Sequence, residues 1–308
     1  MRIFFNRVPR QEPYGGGNQF LAAMVDTLKM RGHEVVFHLV KDVDVIFLMD
    51  PRPGDIGYSI EHVVNYKQAF PRTKIVHRIN ECDQRKGTNF MDSLLIRSSE
   101  VADEVIFISK WLQEYFKDKG ITKNSHVIYN GCDTKIFKPE NKSQLKKPVS
   151  IVTHHWSDNW MKGFDIYTQI DKYLGDHPEA GFSFTYVGRY WNGYKPIATR
   201  LVSPLHGKLL ANELVKHDIY VTASRWEPCG MHHVEGVACG MPVLYHKEGG
   251  GINELCKKHG EGFSSFEEFL EKLNLIVKNY NLYRDKINYE LISIDRVCEE
   301  YAKIVESF

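Results

Sequence analysis

Residues 218–246 read DIYVTASRWEPCGMHHVEGVACGMPVLYH. DIYVTAS is a short apolar run, the pattern of a strand buried on both faces. RWEPCG is the turn that leaves it. The spacing then predicts a helix opening at Gly230 or Met231, with Met231, Val234, Val237, Ala238 and Met241 recurring on one stripe. PVLYH reads as a second strand. Glu227 lies in the turn at the helix mouth, and Glu235 lies one turn in, beside the apolar stripe. A solvated pair of acids would satisfy this pattern. Gly236, Ala238 and Gly240 instead suggest close packing around Glu235, where an unpaired carboxylate is costly.

The same alternation runs outward in both directions. RIFF, EVVFHLV, VDVIFLM, TKIVHRI, EVIFIS and HVIYN read as strands of the first 140 residues. Helical stretches at 18–31, 57–69, 90–102 and 110–118 separate them. KPENKSQLKKP (138–148) is polar, charged and bounded by prolines, so it reads as a linker. Beyond it VSIVTHH, FSFTYVG, DIYVTAS and PVLYH alternate with helices near 164–174, 207–217 and 230–240, and the pattern is helical from 266 onward. Strands alternating with helices make an α/β protein with parallel sheets. We therefore expect two Rossmann-like α/β domains, 1–140 and 149–289. A ligand would settle in a cleft between them, at the carboxyl ends of the strands.

Composition narrows the function. The chain has 308 residues, 43% hydrophobic and 26% charged, with a net charge of +1. That balance supplies no basic field for nucleic acid. The first residues, MRIFFNRVPR, lack the apolar core of a secretory signal, and no apolar run is long enough to span a bilayer. Six scattered cysteines without a C-x-x-C pair read as free thiols in a reducing, cytoplasmic setting. Trp111, Leu112, Tyr115 and Phe116 form a helical stripe that reads as core rather than membrane anchor, though peripheral contact with a membrane stays open.

Several polar groups could carry chemistry. Gly15, Gly16 and Gly17 follow a strand and precede a helix with Asn18 as its cap; they form either a surface turn or a phosphate or acceptor contact made through free N–H groups. Lys162-Gly163 stands before a helix beginning near Phe164, as a surface lysine or a phosphate-binding cation. KIVHRINECDQRKGT (74–88) gathers His77, Asn80, Asp83 and Arg85 at and beyond a strand's carboxyl end. His77 there is either a core histidine or a ligand contact. The adjacent pairs His154-His155 and His232-His233 point apart on regular elements, so no zinc site is expected.

SRWEPCGMHHVEGVACGMPVL (224–244) resembles the E-x7-E segment of the retaining glycosyltransferase family 4 group, whose members have the GT-B fold. HVIYNGCDTKIFKP (126–139), GGGINEL (249–255) and YGGGNQFLAAMVDTLKMRGHEV (14–35) resemble other segments of that group, in the same order. SIDRVCEEYAKIVESF (293–308) resembles the group's closing helix, which implies that the C-terminal helix 290–308 crosses back to complete the first domain. The resemblance implies transfer of a sugar from a nucleotide-diphosphate donor, UDP or GDP, to a hydroxyl acceptor, with retention, without metal and without a prosthetic group. It implies that Glu227 contacts sugar hydroxyls, Glu235 the ribose, Lys162 with Gly16 and Gly17 the diphosphate, and the N–H groups of Cys229, Gly230 and Met231 the sugar. His77 is the nearest match to a histidine that contacts the donor sugar; Asn80, Asp83 and Arg85 fall to the acceptor. The family usually carries an arginine shortly before the lysine, where this chain has Trp156 and Ser157. Arg189 is the first substitute, followed by His154, His155 and Arg225. That departure keeps two alternatives in view: a non-catalytic nucleotide-sugar-binding subunit, and a sugar-nucleotide epimerase of the same fold.

Overall fold

The near-continuous apolar runs form short parallel strands, because a strand covered by helices on both faces has no polar side to alternate with. The computed structural model describes residues 1–10, 15–140, 145 and 147–308. Part of the stretch read as a linker, 141–144 and 146, and Tyr14 of the first glycine segment lie outside the described residues. Two compact units divide the chain: Met1–Asn130 with Ile294–Phe308, and Gly131–Ser293.

The first unit contains β1 (Arg2–Phe5), α1 (Gly16–Met30), β2 (Glu34–Val36), β3 (Val45–Leu48), α2 (Ile60–Ala69), β4 (Lys74–Ile79), α3 (Asp83–Lys86), α4 (Met91–Val101), β5 (Glu104–Phe107), α5 (Lys110–Lys117) and β6 (Ser125–Val127). Its six strands form one parallel sheet in the order β2-β1-β3-β4-β5-β6. The second unit contains β7 (Val149–His155), a 3-10 turn (Trp160–Lys162), α6 (Phe164–Asp176), β8 (Phe182–Gly188), β9 (Arg200–Val202), α7 (Gly207–Leu214), β10 (Ile219–Thr222), α8 (His232–Ala238), β11 (Val243–His246), a 3-10 turn (Gly250–Ile252), α9 (Asn253–His259), β12 (Gly260–Phe263), α10 (Phe266–Lys278) and α11 (Tyr280–Asp285). Its sheet is also parallel, in the order β12-β11-β10-β7-β8-β9. The last helix, α12 (Ile294–Glu306), packs in the first unit, where Tyr301 lies 4.8 Å from the ring of Phe20 on α1.

The units divide at Asn130, before the linker. The Cys132 N–H donates to the Ile292 carbonyl at 2.8 Å and Phe137 is buried, so residues 131–140 pack with the second unit. Two strands escape the periodicity reading. β9 has three residues and no buried member, and β12 is GEGF, in which Gly260 lies so close to the Val243 carbonyl that a side chain would collide with it. Helix α1 begins at Gly16 rather than 18, with Gly15 as its cap. Asn18 sits in the first turn, where its side-chain amide pairs with the backbone N–H and C=O of Arg10.

Candidate functional site

In the second unit the chain begins its sheet at β7, builds β8 and β9 to one side, then crosses to β10, β11 and β12 on the other. The switch point therefore lies between β7 and β10, and ligands of doubly wound sheets settle beyond the carboxyl ends of such a pair. His154 and His155 end β7, and Thr222 through Glu227 leave β10.

Lys162 and Glu227 meet there. The Lys162 ammonium donates to Glu227 Oε2 at 2.7 Å, with side-chain exposures of only 10% and 13%. Local structure fixes both residues. Asn159 caps the 3-10 turn by accepting from the Met161 N–H, and the Arg225 N–H donates to the Met161 carbonyl, joining this turn to the loop after β10. Gly163 has φ +98° and a Cβ there would sit 2.3 Å from Cβ of Ala223, so only glycine lets the turn approach that loop. Glu227 is held through its backbone: its N–H donates to the Gly249 carbonyl and its carbonyl accepts from the Ile252 N–H. The preceding Trp226 stands at φ +49°, a conformation non-glycine residues rarely adopt and one that recurs at functional sites.

Glu235 is 4% exposed, and every residue of α8 is buried, so the solvated reading of this acid does not hold. Its Oε2 lies 2.7 Å from His154 Nε2. Its Oε1 is buried with no hydrogen-bond partner among the described residues. His154 Nδ1 lies 3.1 Å from the hydroxyl of Tyr220 on β10. His154 was a substitute for the missing arginine; the structure commits it to Glu235. Beside it, His155 Nε2 lies 2.9 Å from the Tyr167 hydroxyl, which also accepts from the Ala223 N–H. His232 Nε2 lies 2.9 Å from Thr222 Oγ1. Burial, then the nearby His155 and Lys162, hold His232 well below the usual imidazole range, and burial, against the opposing charge of Glu227, pushes His233 down to about 3. Both rings are therefore neutral at physiological pH. Among the described residues no group of three or more His, Cys, Asp or Glu is arranged to hold a metal ion.

The remaining candidates divide. Arg189 is exposed at the end of β8, and its guanidinium stacks 4.3 Å above the ring of Trp156, which leaves the neighbouring β7. Arg225 is committed to Asp165 through two bonds of 2.7 and 2.6 Å, and also reaches Glu248. Cys229 and Met231 are buried, and Gly230 packs so tightly between His232 and the Glu227 carboxyl that a Cβ would collide with the imidazole. Helix α8 starts at His232, with Met231 as its cap.

In the first unit Gly16 and Gly17 open α1, whose first turn carries no acidic residue. Asn80 Nδ2 lies 3.8 Å from where a Cβ of Gly17 would be. His77 is fully buried in β4, neither ring nitrogen has a partner among the described residues, and burial lowers it to about 3. Asp83 is half-buried and ties down its own loop: its carboxylate accepts from Thr88 Oγ1 and from the N–H groups of Met91 and Asp92 at the start of α4. Arg85 is buried.

Tyr220, Tyr167 and Thr222 escaped the sequence reading, and His232 entered it only as half of a pair not expected to hold zinc. Each lies on a buried strand or helix and reads as core. The available signal was polar tips on adjacent elements, since a buried Tyr or His needs a partner.

Residues 204–290, inside the second unit, match the family model described as Glycosyl transferases group 1. A probable sucrose-phosphate synthase of Thermosipho melanesiensis is 25% identical over 261 residues, covering 79% of this chain and 60% of that protein. The chain thus spans about three fifths of that relative's length. Among solved structures, sucrose-phosphate synthase from Thermosynechococcus elongatus superposes with a TM-score of 0.72 at 14% identity, over 99% of this chain and 98% of that one. Anabaena HepE, solved in complex with UDP-glucose, gives a TM-score of 0.71 at 15% identity, over 100% and 99%. The fold is GT-B, made of two Rossmann-like α/β domains. Within it, the unit carrying Glu227 and Glu235 is the one that the glycosyl transferase group 1 model matches. No helix among the described residues is long and apolar enough to cross a membrane.

Proposed function

We propose that this chain is a retaining, metal-independent glycosyltransferase of the family 4 kind, moving a sugar from a nucleoside diphosphate to a hydroxyl acceptor. The observation that carries the reading is the state of the two acids of the E-x7-E segment. Both are buried or nearly so at the switch point of one sheet, one against a lysine and the other against a histidine. Cleaving the sugar–phosphate bond puts negative charge on the leaving diphosphate. Lys162 meets that charge by exchanging Glu227 for a phosphate oxygen, and Glu227 is then released to accept from sugar hydroxyls. Arg189, exposed at the end of the adjacent strand, supplies the second cation. The acceptor attacks from the face the leaving group departs from, and a phosphate oxygen takes its proton.

Backbone N–H groups of Cys229, Gly230 and Met231 serve the sugar in this reading, and Glu235 serves the ribose. Gly16 and Gly17 are assigned to the phosphates, His77 to the donor sugar, and Asn80, Asp83 and Arg85 to the acceptor. UDP is the first nucleotide to test, because HepE was solved with UDP-glucose, and GDP the second. Six cysteines without a disulfide among them fit a cytoplasmic setting.

The test is release of nucleoside diphosphate from UDP- and GDP-sugars, with and without added alcohols and sugars. Wild type should turn over one donor faster with an acceptor, and Arg189→Ala should raise the KM for that donor without changing stability. A binding subunit would show affinity without turnover, and an epimerase would interconvert donors without an acceptor. If wild type and Lys162→Ala consume every donor at the same slow rate, this site does not catalyse transfer.

A further inference from the structure

Tyr220, His154 and Glu235 form a continuous chain of contacts drawn from three elements. Tyr220 on β10 pairs in register with Val152 on β7, two residues before His154. Residues two apart on a strand share a face, so this register sends the Tyr220 ring along the same side as the imidazole. The ring lies directly on α8: a Cβ added to Gly236 would sit 2.3 Å from Tyr220 Cδ2. Its hydroxyl accepts from the His154 N–H at 3.2 Å and lies 3.1 Å from Nδ1, which fixes the imidazole plane. Nε2 of that imidazole then reaches one oxygen of Glu235 at 2.7 Å. The other oxygen, Oε1, has no partner among the described residues, although the side chain is only 5% exposed. A buried carboxylate oxygen left unsatisfied is costly, and a structure normally keeps one only where something else is to bind.

We propose that His154, itself held by Tyr220, is a positioning residue that occupies one oxygen of Glu235 so that the other is presented to the vicinal hydroxyls of the nucleotide's ribose. The proposal rests on the reading of Glu235 as the ribose contact. It adds that discrimination for ribose resides in His154 as much as in Glu235. Without the imidazole, the carboxylate is free to rotate, and neither oxygen is committed to the ligand. Gln at position 154 keeps an N–H donor near the place of Nε2, whereas Leu keeps only the bulk.

The experiment measures calorimetric affinities for whichever of UDP or GDP wild type binds more tightly, and for its 2′,3′-dideoxy form. Wild type should favour the ribonucleotide by about tenfold or more, the scale of a hydrogen bond to a charged group. His154→Leu should abolish that preference while binding the dideoxy nucleotide as wild type does. His154→Gln should restore most of it, and Tyr220→Phe should lose part. Donor KM should rise in His154→Leu with kcat little changed. Thermal unfolding of each variant accompanies the measurements, because a general loss of fold would weaken both nucleotides alike. Equal weakening of both nucleotides in a folded His154→Leu, or an unchanged preference, overturns the positioning role. Glu235→Gln separates the two levels. If it leaves the ribose preference intact, the reading of Glu235 is wrong; if it removes the preference while His154→Leu does not, only the role of His154 falls. Binding of neither nucleotide by wild type overturns both.

Discussion

Exchanging the partners of the Lys162–Glu227 ion pair separates what this contact does for stability from what it does for chemistry. The ammonium and the carboxylate are 2.7 Å apart and each side chain is close to nine-tenths buried. Two ions so far from water gain little over a well-packed apolar pair, because desolvation offsets most of their attraction. Removing one of them is different, since it leaves a mostly buried carboxylate without its cation, at a cost of about 3–5 kcal/mol. Glu227 lies in a loop and can turn partly toward solvent, so the lower end, about 3 kcal/mol, is expected for Lys162→Ala. For a unit of this size that corresponds to roughly 6–12 °C in its unfolding midpoint.

The double variant Lys162→Met/Glu227→Gln removes both charges and keeps the bulk, so it should recover most of that stability. Donor turnover should not recover. Loss of a donor aimed at developing negative charge typically slows a reaction by about 10²–10³, and neither Met nor Gln supplies it. Thermal unfolding and initial rates of nucleoside diphosphate release, on wild type, both single variants and the double, give the complete cycle. A double variant with wild-type turnover would show that the pair is only structural. A Lys162→Ala protein with full turnover would do the same.

Two further predictions concern stability. His77 and His233 are both held at about 3 in the folded chain by burial, against an ordinary value of 6.5. As the pH falls below 6.5 the unfolded chain takes up protons that the folded chain refuses, so stability declines, by about 1.4 kcal/mol per pH unit for each histidine, until pH nears 3. Urea unfolding followed at pH 7 and pH 5 should show the first unit losing less stability in His77→Leu than in wild type; an equal loss would mean that His77 is not the buried neutral group described. Gly163→Ala should cost well over 2 kcal/mol, because a strained φ and a 2.3 Å contact with Ala223 act together. Gly181→Ala, with φ +77° and nothing within 4 Å, should cost only the backbone term of about 1–2 kcal/mol. Similar melting temperatures for the two would remove packing from the account of Gly163.

Local features of the site could be read from the chain, and features made by sheet order could not. Lys162, Gly163 and the start of α6 stand together in sequence, and one turn geometry accounts for all three. Glu227 and Glu235 likewise sit in a single strand–turn–helix unit, which hydrophobic period alone delimits to within two residues. The partner of Glu235 is 81 residues away, in a histidine pair whose two members face opposite sides of β7. One of them goes to Glu235 and the other to Tyr167 on α6, and nothing in HH says which. That assignment depends on β10 lying beside β7 rather than beside β8, and on the register that sets Tyr220 opposite Val152. A shift of one residue would exchange the faces. Tyr220 would then turn toward the α6 side, and Glu235 would lose its fixed neighbour while the sequence motif stayed intact. An E-x7-E segment therefore shows which acids are present; whether they are poised to meet a ligand is decided by a strand that contains neither of them.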